Sequence, residues 1–231
     1  MGDFIDCFWG EGIIITSMQL LSCIKTIYFN FRYLPFKQAI YLPIWITTNF
    51  KVLKLKRGQI ILDFPYRKNF FLGDCGSVEL QEMRGGIYME DGSKLILNAM
   101  CVIGQGSTLR CDKNSVIELG KNFYCNKNCH IRSAEYIKIG NECSLGWNVQ
   151  INTDDGHSIL HDGKSVKRIG SIEIGNHVWL TSNSIVTKDV KIADGCIVAQ
   201  GAVVTKSITE PKVLVGGVPA KVIRQNVEWE K

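Results

Sequence analysis

The sequence contains four histidines, and two of them share one short stretch, NTDDGHSILHDG at 152–163, with three aspartates. Histidine titrates nearest neutrality, so an imidazole on such a stretch is a candidate general base. Asp155 stands two positions before His157 and can orient its ring and support its cationic form, with Asp154 the second choice. His161 lies four residues beyond His157. That spacing suits a metal when both rings lie on one helix. A loop rich in Gly and Asp is not a helix, so His161 is expected to be loop structure or a substrate contact. His130 and His177 are expected on exposed faces, and no metal site is expected.

The elements that must position His157 follow from a repeat. From residue 97 an aliphatic-type residue recurs every six positions: Leu97, Ile103, Leu109; then Leu119, Cys125, Ile131; then Ile139, Leu145, Ile151; then Ile174, Leu180, Val186; then Ile192, Val198, Val204. Glycine or alanine often follows, as at Gly104, Gly120, Gly140 and Gly175, and glycine suits a tight turn. Four places after the aliphatic residue comes a small or β-branched one, as at Ser107, Cys129, Val149 and Ser184. Neither the helical nor the strand period produces this. Six residues make one short strand and a corner, and three such units close a triangular coil of eighteen. Five coils fit between 97 and 208. Cys101, Cys129, Cys143 and Cys196 fall in the small inward slot, so they read as core rather than metal ligands, although Cys125 and Cys129 form a CxxxC. The rhythm breaks most widely between Ile151 and Ile174, and a long excursion from a tight array is usually functional. Residues 152–171 are therefore expected to protrude, carrying His157.

Composition narrows the partners. Of 231 residues 45% are hydrophobic and 21% charged, with a net charge of +5, values of a globular chain. The densest basic run, Lys51 to Arg57, alternates with Val52, Leu53 and Leu55 and reads as a half-buried strand, so no nucleic-acid partner is expected. The acidic start MGDFIDCFWGEG lacks the basic region of a signal peptide. Nine cysteines then read as free thiols in a reducing cytoplasm.

The repeats, the His-bearing excursion and the closing VGGVPAKVIRQ (215–225) resemble the hexapeptide-repeat acyltransferases, whose fold is an all-β, left-handed parallel β-helix. CSLGWNVQINTDDGH and IGNHVWLTSNSIVTKDVKI are similar to bacterial O-acetyltransferases of capsule, lipopolysaccharide and exopolysaccharide sugars. GKNFYCNKNCHI (120–131) is similar to galactoside and maltose O-acetyltransferases. The resemblance implies an acetyl-CoA-dependent O-acetyltransferase acting on a surface-polysaccharide sugar or its precursor. His157 would deprotonate the acceptor hydroxyl for direct attack on the thioester, and the Ser182 backbone N–H would stabilise the oxyanion. Trp179 would flank the acetyl and pantetheine groups. Asn128 aligns with an acceptor-binding asparagine but equally fits a turn, and Trp147 would stack on a sugar or cover the coil edge. Coenzyme A would pair its amides with backbone at Ala199, Gly201 and Ala202. Its phosphates would meet Lys206, Lys221 and Arg224, near the turn at Pro219. The resemblance also implies a homotrimer with sites between subunits.

Three regions result: a helical and apolar segment at 1–50 packing on the solenoid, the β-helix at 51–211, and the closing turn and tail at 212–231. Within the first, Ile14, Met18, Leu21, Tyr28 and Phe31 predict an amphipathic helix at 15–32, ended by Pro35. Residues 13–46 are apolar enough to dock on the solenoid base or peripherally on the inner face of a membrane. Two other functions fit the same fold. One is a non-enzymatic scaffold subunit. The other is a zinc enzyme resembling the gamma-class carbonic anhydrases, which needs three converging histidines; His130, His157 and His161 are the only set on offer, and their spacing matches poorly.

Overall fold

The computed structural model describes residues 17–63, 69–73 and 83–230. Its frame is a parallel β-helix with three walls. The first wall has nine strands, the second seven and the third six. Successive strands of one coil go to successive walls, so each strand pairs in parallel with the one a full coil later. In the first wall Ile103 stacks on Cys125, Leu145, Leu180 and Val198 in turn. In the second, Leu109, Ile131, Ile151, Val186 and Val204 form the equivalent column. In the third, Leu97, Leu119, Ile139, Ile174 and Ile192 do so. Every aliphatic-type residue of the six-step rhythm is buried, and so are the small residues four places on. Each coil buries its interior residues only against its neighbours, which is why stacking coils is the condition for folding.

The expected role of the glycines needs correction. Gly104, Gly120, Gly140, Gly146 and Gly175 do not lie in the left-handed region. They are required because the next coil approaches too closely: a Cβ on Gly120 would sit 2.4 Å from the Gly140 backbone, and one on Gly140 would sit 2.5 Å from the Gly175 carbonyl oxygen. The left-handed residues sit two positions further along, at the corners. Asn128, Asn148 and Asn183 occupy one such column, with φ of 58°, 56° and 62°. Asparagine tolerates this conformation better than other residues with side chains.

The solenoid begins earlier than the repeat predicts. Ile44–Ile46 pairs with Phe70–Leu72, and Phe50–Leu53 pairs with Gly85–Met89. The first strand therefore lies inside the 1–50 segment, and two coils precede Cys101. Their strands are spaced unevenly along the sequence, which hides the six-residue period. Residues 64–68 and 74–82, within the stretch expected to be β-helix, lie outside the described residues, as does Ile14 of the expected helical face.

The helix runs Ser17–Tyr33 and packs on the first strand in the inverse of the expected orientation. Leu21, Tyr28 and Phe31 face solvent. The inward row is polar: Ser22, Thr26 and Asn30, at successive four-residue steps, are buried. Asn30 accepts from the Ile44 N–H at 3.1 Å and donates to the Ile44 carbonyl at 2.7 Å. Thr26 Oγ1 accepts from the Ile46 N–H at 3.1 Å, and Ser22 Oγ accepts from the Thr48 N–H at 3.2 Å. Lys25 donates to the Thr47, Thr48 and Phe50 carbonyls, and its burial lowers the ammonium pKa. The first strand of a β-helix has an open backbone edge, and unpaired backbone groups there must be satisfied. A polar helix face does this where an apolar face could not.

Candidate active site

The excursion is a tied arm. Its two ends pair: Gly170 N–H donates to the Thr153 carbonyl at 2.9 Å, Asp155 N–H donates to the Arg168 carbonyl at 3.2 Å, and Asp154 bridges Ile169. Beyond this neck a small antiparallel hairpin joins Leu160–His161 to Lys164–Ser165. His157 lies between neck and hairpin, on a fully exposed stretch. Among the described residues its imidazole has no hydrogen-bond or ion-pair partner.

Electrostatics fix the neck to the coils on either side. Asp154 is buried, its side chain only 3% exposed. Its carboxylate takes Arg132 at 2.8 Å and Arg168 at 3.0 Å, and it accepts from the Gly156 N–H at 2.9 Å. Arg132 also reaches Asp112 at 2.8 Å, and Asp112 takes Arg110. Burial pushes the Asp112 pKa up, but hydrogen bonds from Arg110 and Arg132 outweigh it and hold the carboxyl below its usual range. Asp155 is paired with Lys188 at 3.0 Å. The expected contact between Asp155 and His157 is therefore absent from the single chain, because the Lys188 ammonium from the next coil holds that carboxylate. Asp154 is likewise committed to two guanidinia. Neither Lys188 nor the arginine pair stood out in the sequence, since both partnerships span separate coils.

A groove of about 530 Å³ opens on the first wall, lined in part by Asn126, Gly146, Trp179, Ser182, Gln200 and Trp229. Trp179 is 38% exposed. Gly146 is a close-approach glycine here: a Cβ would meet the Ser182 nitrogen at 2.6 Å. Ser182 Oγ accepts from the Trp147 N–H at 3.1 Å, and the Ser182 carbonyl accepts from Gly201. The neighbouring N–H groups of Thr181, Asn183 and Ser184 are all bonded within the solenoid, whereas that of Ser182 has no acceptor among the described residues. A rigidly held, unspent N–H at a groove edge can stabilise developing negative charge. Trp229 comes from the tail. Its ring stacks on His177 at 4.3 Å and tilts against Trp179 at 5.8 Å. Its indole N–H donates to the His177 carbonyl, and its own carbonyl meets His177 Nε2. No periodic signal marks Trp229, which lies 50 residues beyond Trp179 in the sequence.

Other candidates fall outside this groove. Asn128 is a corner residue whose amide donates to Asn148 at 2.6 Å, and Asn148 in turn donates to Asn183 at 3.1 Å. The three form a ladder, so the turn reading accounts for Asn128. Trp147 is half-exposed at the same corner. The backbone N–H groups expected to meet coenzyme A are spent: Ala199 donates to Val215, Gly201 to Ser182 and Ala202 to Ala199. The Leu214–Gly216 strand, next to Ile197–Val198 on the first wall, takes the Ala199 N–H, whereas the Gly201 and Ala202 N–H groups are taken within the preceding coil and the corner itself. Lys206, Lys221 and Arg224 are exposed at the C-terminal end. There Lys221–Arg224 turns back antiparallel on Leu214–Gly216, and the Ala220 N–H, next to Pro219, ties to the Val203 carbonyl. His161 meets only exposed Asp162, at 3.6 Å, and His130 accepts or donates toward Thr108 Oγ1 at 2.7 Å. Among the described residues no three His, Cys, Asp or Glu side chains converge as metal ligands. Cys101, Cys129, Cys143 and Cys196 are buried free thiols.

Residues 171–206 match the family described as bacterial transferase hexapeptide (six repeats). Galactoside O-acetyltransferase of Escherichia coli (strain K12) is 35% identical over 97 residues, 41% of this chain and 47% of that relative. Polysialic acid O-acetyltransferase of Escherichia coli O1:K1 / APEC is 28% identical over 152 residues, 65% of this chain and 42% of the relative. The chain thus spans less than half the length of these two curated relatives. The crystallographically determined polysialic acid O-acetyltransferase OatWY superposes with a TM-score of 0.62 at 23% identity, covering 81% of this chain and 87% of the other. That likeness establishes the fold, a left-handed parallel β-helix.

Proposed function

We propose that the hexapeptide-repeat chain is an O-acetyltransferase that moves the acetyl group of acetyl-CoA to a hydroxyl of a surface-polysaccharide sugar or its precursor. The observation that carries this reading is the groove in which Trp179 and Gly146 flank the unspent Ser182 N–H. The named activities of the relatives, galactoside and polysialic acid O-acetylation, support it. In this reaction the His157 imidazole accepts the acceptor hydroxyl proton as the oxygen attacks the thioester carbonyl carbon. The carbonyl oxygen becomes an oxyanion facing the Ser182 N–H. The C–S bond then breaks, and the imidazolium proton passes to the coenzyme A sulfur. Lys206, Lys221 and Arg224 supply exposed cations for the phosphates at the same end of the solenoid.

His157 is not among the residues lining the groove of its own chain. The arm leaves between the second and third walls, whereas the groove opens on the first. A homotrimer, in which one subunit's arm reaches its neighbour's groove, brings base and oxyanion donor together. The reaction then belongs in the cytoplasm, where acetyl-CoA is available. The test compares wild type with His157→Ala. Acetyl-CoA affinity, measured by calorimetry, should be unchanged, and turnover with a sugar panel should fall by about 10²–10⁴-fold, the usual contribution of a general base. A variant that keeps more than about a tenth of wild-type turnover would remove His157 from the reaction. Failure of wild type to bind acetyl-CoA would remove the donor assignment.

A further inference from the structure

The N-terminal helix presents to solvent the side chains a helix normally buries. Leu20, Leu21, Ile24, Ile27, Tyr28 and Phe31 are each between 42% and 61% exposed, and they follow one another at three- and four-residue steps. Phe36, Ile40 and Tyr41 extend the patch beyond the helix. Rotating the helix to bury this face is not open to the fold, because Ser22, Thr26 and Asn30 are needed against the edge of the Ile44–Ile46 strand. The apolar face is therefore fixed outward by hydrogen bonds made on the opposite side.

Its charge surroundings identify what it meets. Between Glu11 and Asp63 the sequence has seven Lys and Arg and no acidic residue; Lys25 is spent on backbone carbonyls, and Lys54 and Lys56 pair with Glu90 and Asp91, which leaves Arg32, Lys37, Lys51 and Arg57. All 22 Asp and Glu of the chain lie outside this stretch, against 20 of the 27 Lys and Arg. Arg32 and Lys37 flank the apolar patch and are exposed, and Lys51 and Arg57 add exposed cations on the first coil. A second copy meeting this face with the same face would set cation against cation, a like-charge juxtaposition that disfavours pairing. An anionic surface with an apolar interior matches both features. No helix of the described residues is long and apolar enough to cross a membrane, so the fit is to the interface plane.

We propose that the outward apolar face of the Ser17–Tyr33 helix, with its cationic flank, docks the protein on an anionic lipid surface. The helix lies at the first coil, and the Ser182 groove lies five strands further up the same wall. At the usual spacing of about 4.8 Å between strands, the groove stands about 24 Å from the first strand, and the helix, about 10 Å across, separates that strand from the lipid. The inference is independent of the acetyl-transfer reading, since it uses no residue of that site.

The experiment is flotation of the full chain with vesicles of phosphatidylcholine alone and of phosphatidylcholine mixed with phosphatidylglycerol. Light scattering gives the particle mass, and circular dichroism confirms the fold of each variant. Wild type should float with the anionic vesicles, and salt raised from about 0.1 M to about 1 M should release most of it, as the screening length drops from about 10 to about 3 Å. The doubly substituted Ile24→Glu, Ile27→Glu chain should no longer float with the anionic vesicles. Arg32→Gln with Lys37→Gln should bind the anionic vesicles about thirtyfold more weakly, about fivefold for each cation removed from a charged surface. Absence of wild-type flotation, or full flotation of the folded glutamate variant, would overturn the proposal. A glutamate variant that floats like wild type but falls in particle mass would assign the face to contact between copies instead.

Discussion

Removing the Asp154 carboxylate tests whether the neck of the arm is held by charge. In Asp154→Ala, Arg132 loses one of its two carboxylate partners and Arg168 its one ion pair among the described residues, and the Gly156 N–H loses its acceptor. Deleting one partner of a fully buried ion pair costs about 3–5 kcal/mol. Here the arginine side chains are 31% and 41% exposed, so water recovers part of their solvation and screening trims the pair. The expected loss is about 2–3 kcal/mol. With a urea slope of about 2 kcal/mol per molar, the unfolding midpoint should fall by about 1–1.5 M. Asp154→Asn, which keeps the shape and one acceptor, should lose less. Because the neck sets where the arm points, turnover should fall in both variants while acetyl-CoA affinity stays at the wild-type value. A midpoint shift of Asp154→Ala below about 0.25 M, with turnover retained, would show that the backbone pairs at Thr153–Gly170 and Asp155–Arg168 hold the arm without the carboxylate.

Three other outcomes follow from the packing. Asn30→Leu keeps the helix but strips the Ile44 N–H and carbonyl of their buried partners, so thermal unfolding should show a loss of about 3 kcal/mol at about 1–3 kcal/mol for each unsatisfied group. The Asp112 carboxyl is held below its unfolded range, so its stabilisation is present above about pH 4 and is lost as pH falls through the lower folded value. Denaturation midpoints measured across that window should fall more steeply for wild type than for Asp112→Asn. Burial pushes the Cys101 and Cys111 thiols up to about 12. Iodoacetamide at pH 8, followed by site-resolved mass spectrometry, should therefore label neither in the folded protein and both in denaturant.

The sequence by itself determined the solenoid from residue 97 onward. A coil interior admits one aliphatic-type residue and one small residue per wall, and that demand repeats unchanged at every coil, so it prints a six-residue period on the chain. The same regularity marked 152–171 as a departure and placed His157 on it. The corner at Asn128 was legible as a turn for a related reason: a left-handed residue is a local backbone requirement. What the sequence could not fix was anything that depends on which coil lies next to which. The Asp154–Arg132 and Asp155–Lys188 pairs join residues 22 and 33 positions apart, and Trp229 reaches Trp179 only because the tail folds back along the last coils. The helix carries the sharpest case. Its apolar face was visible at Leu21, Tyr28 and Phe31, with the solenoid base and a membrane surface both open as what it meets. The open edge of the first strand decided against the solenoid base, because unpaired backbone groups cost more than exposed side chains, and so the tertiary structure turned the polar face inward and left the apolar one outside.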